Sequence, residues 1–331
     1  MPRKIAAVVN PHSAGGRTFS HWPAIAARIE HRLGPFAARF TDSSGAGTAL
    51  AQQLITEGYD FLIGVGGDGT ASEIVDGIYK HGNISNVCFG FIPTGTGGDF
   101  RRSLCLPGNL DGAVEVLSSG APQPIDVGKV TYRDFAGKMV SRCFINLVSF
   151  GMGGEVAARA KNIAGILGGR AAFLWAALKS FAIYRGKEIR LKLDGKDDVQ
   201  AFVTDVAVGN GRFYGGGMNP CPTAALDDGI FEVTVIDYMN LFQFLREIPP
   251  LYSGNIYRRP KGHHFRARQL RAEAESEVKI QIDGEPLGTL PLEITILPQQ
   301  LRVMVPQSSP LLKVSRSSKQ EVLSHQKNSL G

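Results

Sequence analysis

The sequence predicts an α/β plus all-β protein, with a parallel sheet covered by helices first and an antiparallel β domain second. Three observations point there. Over the first third of the chain, short apolar runs alternate with apolar residues at helical spacing, the pattern of strands joined by crossover helices. From about Ile125 the texture becomes β-rich, with Gly/Asp turns, as in a sandwich or flattened barrel. The 331 residues also exceed one core, since single cores rarely grow past roughly 250–300 residues.

Residues 5–10 read as a buried strand, and Trp22, Ile25, Ile29 and Leu33 then recur at helical spacing. Residues 36–41 form the next strand, and Leu50 with Leu54 marks a second helix. A third strand over 60–65, a helix over 71–79 and a fourth strand over 87–92 complete the alternation. The β-rich part has strands at 125–133, 143–150, 189–193, 200–208, 231–236, 278–282 and 292–297. A helical insertion near 153–185 interrupts it, and 307–331, rich in Ser with scattered Lys and Arg, reads as a disordered tail.

Hydrophobic content of 43% and charged content of 20% fit a globular chain. A net charge of +6 favours anionic partners without choosing among nucleotide, nucleic acid and acidic membrane. Cys88, Cys105, Cys143 and Cys221 have no C-x-x-C spacing and are expected to be buried free thiols in a reducing cytoplasm. The apolar run after the basic start is too short for a signal peptide. No uninterrupted apolar stretch reaches the roughly 18 residues of a membrane span. The expected location is therefore cytoplasmic, with any membrane contact peripheral.

In parallel sheets, ligands bind at the carboxyl ends of the strands, and three glycine-bearing loops fall there, at 10–17, 66–70 and 93–99. The strongest is Val65-Gly-Gly-Asp-Gly-Thr70, where glycine allows close backbone approach and the start of a helix suits phosphate. Thr70 and Glu73 also have the T-x-x-E spacing of a capping box, which leaves Gly66, Gly67 and Asp68 unexplained. Pro93-Thr-Gly-Thr-Gly-Gly-Asp-Phe100 repeats the mix of glycine, hydroxyl and carboxylate, and Asn10-Pro-His-Ser-Ala-Gly-Gly16 is the third loop. None ends in the Gly-Lys-Ser/Thr of a Walker A loop.

Taken with Gly215-Gly-Gly-Met218, Leu226-Asp-Asp-Gly229 and Asp283-Gly-Glu285, these segments resemble the diacylglycerol kinase/sphingosine kinase catalytic family, especially its bacterial soluble lipid kinases. The resemblance covers roughly residues 3 to 306 in the family's order and spacing. It implies a Rossmann-like nucleotide-binding domain over 1–124 and a β-sandwich lipid-acceptor domain over 125–306, with the active site in the cleft between them. By the same resemblance, Asn10, Thr41, Gly66, Gly67, Asp68, Gly69, Thr70, Ala71, Ser72, Glu73, Thr96 and Asp99 serve ATP. Asp68 helps place the Mg²⁺-bound phosphates, Glu285 is the general base, and Asp228 holds a structural Mg²⁺ with the carbonyls near Ala225 and Ile230. The family usually shows Gly-Thr-Gly-Asn-Asp, and Gly98 stands here in place of the Asn.

Asp-Gly between apolar strands is also the standard hairpin signal, so Asp283-Gly-Glu285 has a purely structural alternative, as does the Asp227-Asp228-Gly229 turn. The apolar and basic residues of the insertion (Ile163, Ile166, Leu167, Phe173, Leu174, Trp175, Leu178 and Phe181, with Arg159, Lys161, Arg170, Lys179 and Arg185) suit a lipid-receiving flap on an anionic membrane or a core helix pair. The cluster Arg258, Arg259, Lys261, His263, His264, Arg266 and Arg268 invites a phosphate or membrane reading against plain solvated surface. Expected partners are a lipid, first diacylglycerol and then ceramide or a sphingoid base, and the inner face of the membrane. A homodimer is left open. Nucleic acid is not expected, because no aromatic platform interleaves the basic residues. An NAD kinase and a non-catalytic lipid- or nucleotide-binding protein are the competing readings.

Overall fold

A computed structural model of the chain describes residues 3–82, 86–167, 175–176, 179–181 and 183–311. The first part runs β1 (Ile5–Val9), α1 (Arg17–Leu33), β2 (Ala37–Phe40), α2 (Ala46–Thr56), β3 (Phe61–Gly66), α3 (Asp68–His81) and β4 (Cys88–Pro93). The strands pair in parallel in the order β2-β1-β3-β4, with Ala6 opposite both Ala37 and Leu62. Strands β1 and β3 are buried along their whole length, which is why they read as continuous apolar runs rather than alternating ones. Two short helices follow, α4 (Asp99–Ser103) and α5 (Leu110–Ser119). The sequence reading lacks both.

The second part contains β5 (Ala121–Asp134), β6 (Met139–Phe144), β7 (Leu147–Gly151), α6 (Met152–Leu167), β8 (Lys187–Leu193), β9 (Asp197–Gly209) and β10 (Phe231–Asp237). Helix α7 (Leu241–Ser253) then precedes β11 (Gly262–Ala267), β12 (Gln269–Glu273), β13 (Lys279–Ile282) and β14 (Glu285–Val305). Antiparallel pairing closes β9-β7-β13-β14-β12-β8 into a hydrogen-bonded ring. Its interior is a separate apolar core that includes Phe150, Val206, Ile280 and Ile294. The sequence alternatives of sandwich and flattened barrel meet in this ring.

Three expectations change. The single strand over 143–150 is two strands, β6 and β7, because the Asp283 carboxylate accepts the N–H groups of Ile145, Asn146 and Leu147 at 2.9–3.0 Å and takes Ile145 and Asn146 out of the ladder. The 125–306 segment is not one packing unit. Strand β14 leaves the ring and pairs in parallel with β4, Arg302 opposite Cys88, and Leu301, Val303, Met304 and Val305 pack in the first core with Ile125 and Val127. Cys88, Cys143 and Cys221 are buried free thiols, but Cys105 is exposed, at a turn where its φ is 57°. Of the tail, 312–331 lie outside the described residues.

Candidate active site

Helix α3 begins at Asp68 with Gly67 in the cap position and no side chain closing it, so its first-turn N–H groups are free for an acceptor. The next glycine loop packs directly on this turn: a Cβ added to Gly95 would lie 2.6 Å from the Gly67 Cα. The Asn10 amide donates to Thr70 Oγ1 at 3.1 Å. All three glycine-bearing loops therefore meet at one end of the parallel sheet.

The capping-box alternative fails on geometry. Thr70 lies inside α3 rather than at its cap. The Glu73 carboxylate crosses to α2, where Oε1 accepts from Gly45 N–H at 2.7 Å and Oε2 from Gly47 N–H at 2.9 Å. It thereby supplies the acceptor missing at the uncapped start of α2. Burial raises its pKa, and those N–H groups oppose the shift.

Asp68 accepts the N–H groups of Asp99 at 2.9 Å and Phe100 at 3.1 Å, holding the start of α4. Burial, and then the neighbouring Asp99 charge, pushes its pKa up to about 6. Asp99 in turn accepts from Gly216 N–H at 2.9 Å and Arg102 Nη1 at 2.8 Å, tying the loop to the Gly215-Gly-Gly segment. Its pKa is raised by burial, against the Gly216 N–H and Arg102. Gly98 has φ +65°, a left-handed conformation that Gly and Asn adopt at least cost. Glycine in place of the family's usual asparagine therefore keeps the loop geometry.

Two cavities open on this wall. One, about 380 Å³, is polar and is lined by Asn10, Ser13, Thr41, Gly67, Gly69, Thr70 and Glu73. The other, about 340 Å³, is lined by the polar Asp68, Thr96 and Asp99 and the apolar Leu147, Ala157 and Ala160. Glu285, the first residue of β14, lines both. Asp283 and Gly284 turn the hairpin with φ of 49° and 87°, so the hairpin signal and the site carboxylate are both present. A Cβ at Gly69 would lie 2.6 Å from Glu285 Oε1, so any side chain there would displace the Glu285 carboxylate. Gly66, Ala71 and Ser72 are buried and line neither cavity.

Arg142, on β6, was not read from the sequence. Its Nη1 lies 3.5 Å from Glu285 Oε2 and its Nη2 3.3 Å from Ser72 Oγ, while its buried Nε has no partner. One arginine in an alternating strand carries no local signal, and only the tertiary pairing reveals it.

Asp228 stands elsewhere, in a depression with Asp194 and Asp227. Its carboxylate pairs with Arg266 at 2.9 Å and accepts from Ile230 N–H at 3.3 Å. The neighbouring Gly229 N–H goes to Asp126 at 2.7 Å. Among the described residues there is no group of three or more His, Cys, Asp or Glu side chains set to hold a metal. Part of the basic cluster is tied down: Arg259 pairs with Glu247 and Arg266 with Asp228 and Glu232, while the His263 ring hydrogen-bonds Asp237 and the His264 ring Glu232. Of the insertion, Phe181 is buried and stacks on Phe244 with ring centroids 3.6 Å apart, and Trp175 is exposed. The side chains of 161–174 and 177–178 lie outside the described residues.

Known proteins resemble the chain over both of its parts. Residues 4–130 match the diacylglycerol kinase catalytic domain, and residues 146–305 match the YegS C-terminal NAD kinase beta sandwich-like domain. The chain is 28% identical over 306 residues to a diacylglycerol kinase of Staphylococcus saprophyticus, covering 92% of this chain and 96% of that one. It is also 28% identical over 305 residues to one of Staphylococcus carnosus, with the same coverage. A solved structure of a diacylglycerol kinase from Bacillus anthracis superposes with a TM-score of 0.69 at 21% identity, over 93% of this chain and 98% of that one. With both domain models matched in order over nearly the whole length, on a scaffold that brings the glycine loops and the late hairpin carboxylate together, the chain belongs to the diacylglycerol kinase catalytic family.

Proposed function

We propose that the protein transfers the γ-phosphate of Mg·ATP to a lipid hydroxyl, with diacylglycerol as the first acceptor and phosphatidic acid as its product. The observation that carries this is the position of Glu285, common to a polar cavity at the start of α3 and to a cavity with apolar walls. The nucleotide phosphates lie against the α3 N–H groups, Asn10 and Ser13, where donors and the helix end favour negative charge. Thr41 completes that side. Glu73 acts on it indirectly, by fixing the start of α2.

The second cavity takes the acceptor with its hydroxyl toward Glu285. The acceptor oxygen bonds to the γ-phosphorus as the bond to ADP breaks, and the hydroxyl proton passes to the Glu285 carboxylate. Mg²⁺ supplies charge neutralisation on the phosphates. The residues present fit it, since Asp68 and Asp99 repel one another and a cation beside them offsets that repulsion. Asp228 as a second, structural magnesium ligand is part of the same proposal, with Arg266 as its competitor. No helix among the described residues is long and apolar enough to cross a membrane. The proposed acceptor is met at the cytoplasmic face, where ATP is supplied.

Labelled ATP offered with diacylglycerols, ceramide, sphingoid bases and NAD tests the reading. Label in diacylglycerol is the expected result. Label in NAD alone, or in nothing, overturns it.

A further inference from the structure

Several exposed large apolar side chains gather on α7. Leu241, Phe242, Leu245 and Tyr252 are all exposed, Phe242 by 70%. Leu241, Leu245, Pro249 and Tyr252 follow one another at helical spacing, which puts them in a single stripe. The opposite face is occupied: Phe244 and Leu251 pack with Met152 and Val156 of α6. Asn240 and Gln243 close the start of α7 in a reciprocal capping box, so the stripe is held on a fixed helix rather than a fraying one. Phe202, 51% exposed, continues the patch, since the backbone N–H of Tyr238 donates to its carbonyl at 2.9 Å and the two rings lie 5.1 Å apart.

Charge around the patch is mixed, with cations in excess. Glu247 is taken by Arg259 at 2.7 Å, while the Asp237 and Glu188 carboxylates have only hydrogen bonds, to the His263 ring at 2.9 Å and from the Gln200 amide at 2.6 Å. Lys187, Arg246 and Lys261 have no ion pair among the described residues. Lys261 sits at the helix start, its Nζ donating to Tyr238 O and Gln243 Oε1 at 2.6 and 3.2 Å.

We propose that the outer face of α7, with Phe202 beside it, is a docking surface for an anionic lipid bilayer. An apolar stripe rimmed by unpaired cations suits the headgroup–acyl boundary of such a bilayer. A second copy of the chain suits it less, because a two-fold contact would bring together two faces that each carry the same excess of unpaired cations. The position also makes sense of the acceptor route. Helix α6, on which α7 packs, contributes Ala157 and Ala160 to the apolar cavity, so a bilayer under α7 lies one helix away from the proposed acceptor site. This inference rests on the lipid-kinase reading for its purpose but not for its test.

The full chain is sedimented with vesicles of phosphatidylglycerol and phosphatidylcholine, and with phosphatidylcholine alone. The wild type is expected to bind the anionic vesicles, less so at high salt, and the triple variant Leu241→Asp, Phe242→Asp, Leu245→Asp to bind them about tenfold or more weakly. Unchanged circular dichroism and ATP affinity show that the variant is folded. Phosphorylation of a short-chain diacylglycerol dispersed in solution separates the two claims, since it is expected to persist in the variant. Its absence in the wild type defeats the kinase reading and leaves the vesicle result standing. Equal sedimentation of variant and wild type overturns the docking surface. So does a wild-type dimer in light scattering that the triple variant makes monomeric, which assigns the face to a second copy.

Discussion

The two cavities that meet at Glu285 are built by different means. The polar one is made of loops that follow one another along the first domain, its donors being backbone N–H groups and short hydroxyl or amide side chains. The apolar one draws Thr96 and Asp99 from the first domain, Leu147, Ala157 and Tyr214 from the middle of the chain, and Asp283 to Pro286 from near its end. A phosphate is recognised by local geometry that a few adjacent residues can supply. A lipid chain needs volume and apolar wall, which only tertiary packing provides.

Altering the residue common to both cavities breaks this comparison most directly. Glu285→Gln keeps the side chain's shape and removes its capacity to take a proton, so turnover should fall by roughly 10²–10⁴-fold while ATP affinity by calorimetry is unchanged. Wild-type kcat in this variant would show that the acceptor proton leaves by another route.

Gly69→Ala sharpens the steric part. Gly69 lies in α3 without a left-handed φ, so alanine suits the backbone there, and only the contact with Glu285 Oε1 is disturbed. A misplaced reacting group costs on the order of 10²-fold. The fall should appear in kcat with the melting temperature undiminished. A lower melting temperature would mean that α3 rather than Glu285 was disturbed.

Arg142 holds Glu285 from behind and lines neither cavity. Arg142→Ala should lower kcat by about tenfold, within the range for lost orientation, with KM for ATP unchanged and partial rescue in Arg142→Lys. An equal loss in Lys and Ala variants would point to packing instead.

Asp205 gives a smaller, pH-dependent effect. Its carboxyl is 2% exposed and accepts Gly153 N–H at 2.9 Å. Burial raises its pKa from 3.8 to about 8. Because the folded state holds a proton that the unfolded state releases, this group's stability contribution is complete below pH 3.8 and is lost as pH rises to about 8. Asp205→Asn should flatten the decline of the melting temperature across that window. A decline as steep as in the wild type would show that other groups set it.

The smallest effect belongs to Asp228. If it only pairs with the half-exposed Arg266, Asp228→Ala should cost about 0–1 kcal/mol and chelators should do nothing. If it holds magnesium, a chelator should lower the wild-type melting temperature and leave the variant's unchanged.

The first domain was legible because β1, β3 and β4 are buried apolar runs, each ending in a glycine loop that is one short stretch of sequence. Helix α5 was legible in principle: Asn109 accepts Gly112 N–H as an ordinary cap. In α7 the Asn240/Gln243 box stands beside Pro249 and Pro250, and paired prolines mask a helical pattern. The break between β6 and β7 was not legible, since a carboxylate 136–138 positions away makes it. For the same reason Glu73, expected at the ATP site with a local cap as its alternative, serves a helix that begins 27 positions earlier.

Strand β14 carries a consequence for how the protein is made. It begins at Glu285 and ends in the first core, with Val303 opposite Phe89. The parallel sheet that carries the glycine loops is therefore incomplete while the chain is still emerging from the ribosome. The first 120 residues must wait, with the edge of β4 unpaired, until the segment around Val305 has been synthesised and threaded back. A nascent or truncated product ending near residue 290 would hold every glycine loop and Glu285 itself, yet leave that edge open to aggregation.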